Sequence, residues 1–196
     1  DIIISVDTSK AAVMKSAVES GATMINDQRA LQLSGALATA AALKVPVCLM
    51  HMFGLNQRIP NAQPLADVLN DVLSWLRSRV KDVVGAGVLP QNIIIDPGFG
   101  HGNYGKSTTE NLYLLKHLSE FVALDFPVLV GVSRKTFIGK LTGADVSDRL
   151  PGSLVLAALA ALQGASIIRV HDVGQTKQAM KIITAYQNLE CLSAVE

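Results

Sequence analysis

Six short apolar runs recur along this chain, each closed by polar residues and followed by a stretch with helical spacing. That rhythm restricts the chain to an alternating α/β fold. The predicted strands are residues 2–6, closed by Asp7; 22–25, closed by Asn26-Asp27; 46–51; 93–95, closed by Asp96; 127–132, closed by Ser133-Arg134-Lys135; and 167–172. Ile93-Ile94-Ile95, β-branched throughout, fits a parallel strand buried on both faces. The predicted helices cover residues 11–19, 65–84, 109–119, 149–162 and about 175–189, with another ending near 43. Thr8 or Ser9 is the expected N-cap of the first and Ser34 that of the second. In the long helix, Val68, Val72, Trp75, Leu76 and Val80 share one face, so Trp75 is expected in the core. A glycine followed by a small residue precedes several strands, as in Gly21-Ala22 and Gly164-Ala165.

Six units in 196 residues give about 33 residues each, close to the roughly 31 per unit of an eight-unit barrel of about 250 residues. The expected architecture is a TIM (β/α)8 barrel of which the chain carries about six βα units, as one domain over residues 1–196. A doubly wound sheet would show the same periodicity. The chain opens inside a strand without an initiator Met and reads as part of a longer protein.

With 49% hydrophobic and 17% charged residues and a net charge of +1, nothing points to nucleic acid as a partner. The longest apolar run, residues 154–162, falls far short of the about 20 residues that cross a bilayer, so no membrane association is expected. Cys48 and Cys191 are too few and too far apart for a disulfide framework and read as reduced thiols of a cytoplasmic protein.

Ligands of α/β folds bind at the C-terminal ends of parallel strands. Gathered there are Asp7, Asn26, Met50, His51, Asp96, Ser133, Lys135, Arg169 and His171. Carboxylates and an amide can pair with the N–H edge of a flat nitrogen heterocycle. Lys135, Arg169 and His171 suit a phosphate or a ring carbonyl. Each has an unremarkable reading as a solvated or ion-paired strand-end residue; jointly the pattern suits a polar heterocycle bearing an anionic group. His51, between two methionines, fits a packed core histidine as well as a ligand. No His/Cys/Asp/Glu spacing makes a metal site, and no Gly-x-Ser-x-Gly elbow supports a serine hydrolase.

Residues 100–107, Gly-His-Gly-Asn-Tyr-Gly-Lys-Ser, match the phosphate-loop pattern letter for letter. Four residues separate this stretch from its strand, and no later strand ends in an acid suited to Mg²⁺. The match is expected to be accidental, so that Lys106→Ala leaves turnover and nucleotide binding unaffected.

In combination, Ile4-Ser5-Val6-Asp7-Thr8-Ser9-Lys10, Ile25-Asn26-Asp27, Cys48-Leu49-Met50-His51-Met52, Asp96-Pro97-Gly98-Phe99-Gly100, Gly131-Val132-Ser133-Arg134-Lys135 and Ile168-Arg169-Val170-His171-Asp172 resemble the dihydropteroate synthase family. The resemblance implies a pterin-binding TIM barrel, cytoplasmic and homodimeric, and a sulfonamide target. Such an enzyme joins dihydropterin-CH2-diphosphate to p-aminobenzoate and releases diphosphate. It further implies that Asp96 and Asn26 bind the pterin edge, with Asp7 and Met50 lining the pocket. Lys135 would reach the ring carbonyl and N5, Arg169 and His171 would hold the diphosphate, and Ser133 would lie near the p-aminobenzoate carboxylate. Lys135, Asp7, Arg169 and His171 are then the expected catalytic residues. Mg²⁺ is the implied cofactor, its protein ligand lying in the family's first two strands, which this sequence does not include. The chain departs from the family in an apparent insertion at Asn103-Tyr104-Gly105. Alternatives of the same fold are a pterin-binding methyltransferase domain and a non-catalytic pterin-binding remnant.

Overall fold

In the computed structural model, which describes residues 2–54 and 60–188, strand and helix alternate along the chain. The strands are β1 (Ser5–Asp7), β2 (Met24–Asp27), β3 (Val47–Met50), β4 (Ile93–Asp96), β5 (Leu129–Val130) and β6 (Ile167–Ile168). The helices are α1 (Ala11–Glu19), α2 (Ala36–Leu43), α3 (Leu65–Gly85), α4 (Thr108–Lys116), α5 (Leu118–Val122), α6 (Thr136–Thr142), α7 (Leu150–Leu162) and α8 (Val173–Gln187). All strand pairs are parallel, in the order β1-β2-β3-β4 and β5-β6, and an Ile95–Val128 bridge joins the two groups.

One contact separates a barrel from an open sheet. β1 and β6 stand at opposite ends of the strand order, which in a flat six-stranded sheet puts them about 24 Å apart. Yet Arg169, immediately after β6, donates to Asp7 Oδ2 at 3.2 Å. No arginine side chain spans the flat distance, so the sheet curls, and the fold is a partial (β/α)8 barrel rather than a doubly wound sheet.

Because side chains alternate across a strand, the curl gives it two unlike faces. Ile25, Leu49, Ile93, Ile95 and Val130 point outward and pack with the helices in the main core. Met24, Cys48, Ile94, Leu129 and Ile167 meet on the inside as a smaller apolar layer. One step further toward the strand ends, the inward positions become Asp7, Asn26, Met50 and Asp96, paired by register as Asp7 with Asn26 and Met50 with Asp96. The polar site is the top layer of the barrel interior, standing on an apolar floor.

The helices cover the outside as their apolar stripes require. Val68, Val72, Leu76, Val80 and Val83 of α3 are buried, and Trp75 packs against the core. Three local expectations are corrected. The first two helices start at Lys10 and Gly35 without a side-chain cap: Ser9 Oγ instead bonds the Asp27 carboxylate, and Gly35 supplies the left-handed turn that Ser34 could not adopt as easily. The single helix expected over 109–119 is two, broken at His117. Helix α6 was not expected; it is short, with Phe137 and Ile138 as buried anchors, and ends at Gly143 in the left-handed region. The predicted end of the last helix at 189, and Cys191, lie outside the described residues. Among the described residues no helix is long and apolar enough to cross a membrane.

Candidate active site

The strand ends converge on one pocket, lined by Asn26, Gln28, Met50, Asp96, Phe99, Tyr104, Gly131, Lys135 and Arg169. Five of the eight site residues expected from sequence are in that lining. A sixth, Asp7, joins it by bonds: Asn26 Nδ2 donates to Asp7 Oδ2 at 2.8 Å and Arg169 at 3.2 Å. The remaining two form a pair beside it, Ser133 Oγ lying 2.9 Å from His171 Nδ1 and accepting the His171 backbone N–H at 3.2 Å. The structure thus brings all eight to one end of the barrel.

Asp96 closes the pocket from below. Its Oδ1 accepts the Gly98 N–H at 2.7 Å, because Pro97 and Gly98 turn the chain back over the strand end. Gly98 has φ +74°, and a Cβ there would stand 1.8 Å from the His51 carbonyl oxygen, so only glycine fits. Burial pushes the Asp96 carboxyl up to about 6, with the Gly98 N–H, Lys135, Lys106 and Arg169 pulling against it. Burial, reinforced by Asp96 and Asp7, also pushes the Cys48 thiol up, so the floor beneath the acids is an un-ionised thiol.

Opposite Asp96 are the cations. Lys135 Nζ sits 4.1 Å from the centre of the Tyr104 ring, and Tyr104 in turn packs against Gly100, where a Cβ would meet its ring at 2.7 Å. With these side chains in place the enclosed space is about 20 Å³, room for about one water molecule. A flat heterocycle enters only if Lys135, Arg169 or Tyr104 swings aside. A wider recess of about 230 Å³ adjoins, lined by Asp7, Ser9, Gln28, Arg29, Met52 and Asn103. A larger groove of about 650 Å³ between α2 and α3 lies on the helical exterior, and its one cation, Arg79, is engaged with the Ala30 and Leu31 carbonyls.

Gln28, Phe99 and Tyr104 were not anticipated. Gln28 had a signal, lying two residues from Asn26, and its amide reaches Asp7 at 3.4 Å. Tyr104 had none, since nothing in an insertion tells which way its side chain turns. His51 is packed and bonded: its ring meets Phe53 and Trp75 edge-on at 4.4 and 5.0 Å, and Lys106 Nζ lies 3.1 Å from its Nδ1.

The phosphate-loop match dissolves on inspection of the same residues. Ser107 is the N-cap of α4 in a reciprocal capping box with Glu110 (3.1 and 2.7 Å), so its hydroxyl is not offered to a metal. Lys106 has no exposed surface and donates to the Gly98 carbonyl at 2.7 Å. Lys106 is therefore part of the structure beneath the strand end rather than a phosphate ligand, since a fully buried ammonium has to be partnered by what surrounds it.

A site that pairs ring-edge acceptors with cations agrees with what the chain resembles. The model of the family described as "Pterin binding enzyme" matches residues 1–171. The chain belongs to the pterin binding enzyme family. Within it, the chain is 43% identical over 185 residues to dihydropteroate synthase of Escherichia coli, covering 94% of this chain and 64% of that enzyme. It is 44% identical to that of Haemophilus influenzae over 189 residues, 96% of this chain and 67% of the relative. This pterin binding enzyme chain thus spans about two thirds of the length of such relatives. Its fold superposes on a Coxiella burnetii dihydropteroate synthase in complex with pteroic acid (TM-score 0.91, 50% identity, 94% of this chain and 68% of that one). It also superposes on a Yersinia pestis dihydropteroate synthase with a sulfonamide drug complex (TM-score 0.89, 42% identity, 96% and 67%).

Proposed function

We propose that this chain is the pterin-binding barrel domain of a cytoplasmic dihydropteroate synthase, and that the site binds a dihydropterin diphosphate and p-aminobenzoate. The observation that carries the proposal is the convergence of Asp96, Asn26 and Asp7 with Lys135 and Arg169 around one pocket. The free oxygen of Asp96 and the Asn26 amide match the donor–acceptor edge of an aminopyrimidinone, with Met50 against the ring face. Lys135 reaches the ring carbonyl and N5. Arg169 and His171 hold the diphosphate, and Ser133 stands near the aminobenzoate carboxylate. A sulfonamide, an analogue of that acid, would compete for the same place.

In the reaction the methylene C–O bond breaks and its electron pair leaves with the diphosphate. The aromatic amine then forms the C–N bond at the pterin methylene and loses a proton. Arg169 and His171 stabilise the departing oxygens, and the carboxylates of Asp7 and Asp96 stabilise the electron-poor ring. Mg²⁺ neutralises diphosphate charge when it is bound. Among the described residues no group of three His, Cys, Asp or Glu could hold a metal ion. In this proposal the ion accompanies the diphosphate, its protein ligand lying in the family's first two strands, and no residue here is assigned to it.

A homodimer fits the outer surface. Val155, Leu159 and Leu162 of α7, at helical spacing, are exposed, as are Ile182 and Tyr186 of α8, and α7 packs on α8. Exposed apolar side chains on two helices packed together are what a subunit interface would cover.

The deciding experiment is turnover of the intact native protein with dihydropterin-CH2-diphosphate and p-aminobenzoate, following pteroate and diphosphate together. Equal release of both is expected. Pterin binding without diphosphate release would reject the synthase in favour of a pterin-binding remnant. Transfer of a methyl group from a pterin donor would make the domain a methyltransferase.

A further inference from the structure

Beneath the pocket, outside its lining, Lys106 and His51 interlock with the turn that carries Asp96. The Lys106 ammonium donates to the Gly98 carbonyl at 2.7 Å and to the Tyr104 carbonyl at 3.4 Å. It also lies 3.1 Å from His51 Nδ1 and 5.1 Å from the centre of the Phe53 ring. Gly98 is the residue whose N–H binds Asp96 Oδ1, and the His51 N–H binds the Asp96 carbonyl oxygen at 2.9 Å. The one ammonium thus ties the near end of the loop, at Gly98, to its far end, at Tyr104.

We propose that Lys106 is a positioning residue for Asp96: it fixes the 97–105 turn, and its charge holds the Asp96 carboxylate in the anionic form that accepts the pterin edge. The proposal rests on the pterin-binding function above. Asp96 is faced by the Lys135 and Arg169 cations, by the Cys48 thiol and by the Tyr104 ring across the pocket. Asp7 lies beyond Arg169. Lys135 is half-buried, and the Arg169 side chain is 56% exposed, so water and salt weaken their fields. Lys106 has no exposed surface. Its charge acts through protein alone, where the effective dielectric is lower, and it holds Asp96 down against burial together with the Gly98 N–H and Lys135, which pull harder, and Arg169, which pulls less. Lying outside the pocket lining, Lys106 is suited to setting the acid's state from behind.

The test is the affinity of the intact native protein for 6-hydroxymethyl-7,8-dihydropterin, a probe without diphosphate or aminobenzoate, between about pH 5 and pH 9. Wild type, Lys106→Gln, Lys106→Arg and Asp96→Asn are compared. Wild type should lose affinity below about pH 6, where Asp96 takes up its proton. Asp96→Asn should bind weakly with no such limb. Lys106→Gln keeps donors for both loop carbonyls but loses the charge: its acid limb should move to higher pH, with affinity at the alkaline end within about threefold of wild type. Lys106→Arg should restore the wild-type midpoint. A Lys106→Gln limb that coincides with wild type overturns the proposal, as does equal loss of affinity at every pH. If neither variant folds, the ammonium ¹⁵N resonance of Lys106 in the unmutated, ligand-free protein should step at the pH where Asp96 titrates, and a flat resonance overturns it. A wild-type protein that does not bind the pterin rejects the function proposed above, and the ammonium resonance then still decides the role of Lys106.

Discussion

Asp27 and Asp96 both end a strand, are both buried and both face a loop with left-handed residues, yet one belongs to the scaffold and the other to the site. Asp27 follows Asn26 on the outward face of β2, and its oxygens are fully engaged. Oδ1 accepts the Arg29 N–H at 2.8 Å and the Ser9 hydroxyl, while Oδ2 accepts the Leu31 N–H at 2.8 Å. Asp96 is on the inward face of β4 and bonds its own loop once, through Gly98 at 2.7 Å. The difference teaches that burial and position at a strand end do not make a functional acid. What remains of its acceptor capacity, and which way it points, decides.

Each loop is also clasped from behind by a cation on a later helix or helix start. Arg79 of α3 donates to the Ala30 and Leu31 carbonyls at 2.6 and 2.9 Å, and Lys106 donates to Gly98 and Tyr104. Ala30 and Leu31 have φ of +49° and +62°, a conformation costing non-glycine residues roughly 1–2 kcal/mol each. The Asp27 carboxylate and the Arg79 guanidinium hold it.

The largest effect should come from Asp27→Ala. Two amides and a hydroxyl lose a charged acceptor in a buried setting, so unfolding in urea should reveal a loss of about 3–5 kcal/mol. If stability fell by less than about 1 kcal/mol, Asp27 would not be the scaffold acid. Any residual folded protein should lose pterin affinity only in proportion to disorder at Asn26.

Asp96→Asn should do the reverse. Pterin affinity should fall by about 1.5–3 kcal/mol, since the amide offers one acceptor where the carboxylate offers two; calorimetry with the pterin checks it. Stability should hold or rise. A carboxyl raised from 3.8 to about 6 favours the protonated folded state, so wild-type stability should decline as pH rises from about 4 to about 6. Ionised Asp96 then costs on the order of 3 kcal/mol above that window. In Asp96→Asn this decline should vanish. Persistence of the full decline would assign it to another group.

Arg79→Met sharpens the comparison at the next size down. Loss of two charge-assisted bonds to strained carbonyls should lower stability by about 2 kcal/mol, with pterin affinity changed less than about twofold. A larger loss of affinity would mean that the Asp27 loop, too, belongs to the site.

How much of this was legible in the sequence follows from the same two acids. Strand periodicity with polar strand ends was enough to find the barrel units and the inward acids, because alternation is a local property. Alternation also puts Asp27 opposite to Asn26, on the helix-covered face, where an acid must be partnered, so the scaffold role of Asp27 has a signal in the sequence. Ser107-Thr108-Thr109-Glu110 carried a capping-box pattern that explains the serine of the phosphate-loop match. The burial of Lys106 had no such sign, since it depends on His51 and Gly98 arriving from other strands. Helix α6 has too few residues for a periodic signal, and no proline or glycine marks the break at His117. The curl of the sheet is not carried by periodicity: unit length and the family resemblance point to a barrel, and the contact that shows it joins residues 7 and 169, at the two extremes of the strand order.

The smallest expected effect tests whether the insertion belongs to the Asp96 loop in function as well as in position. Tyr104 contributes a ring on which the Lys135 ammonium rests at 4.1 Å, with Gly100 behind it. A half-exposed cation–π contact is worth about 0.5–1 kcal/mol. The contact holds Lys135 against Tyr104, and in the proposed function a pterin must draw that lysine to its own carbonyl and N5. Tyr104→Leu removes the competing contact but keeps an apolar wall, so pterin affinity should rise by about two- to fivefold. Tyr104→Phe keeps the ring, and with it the wild-type affinity. Stopped-flow binding separates the two contributions: if the contact is a latch, the gain appears in the association rate, whereas a wall that merely fits better slows dissociation. Weaker binding in Tyr104→Leu with normal binding in Tyr104→Phe would show that the ring stacks on the ligand instead, making Tyr104 a ligand contact rather than a rest for Lys135.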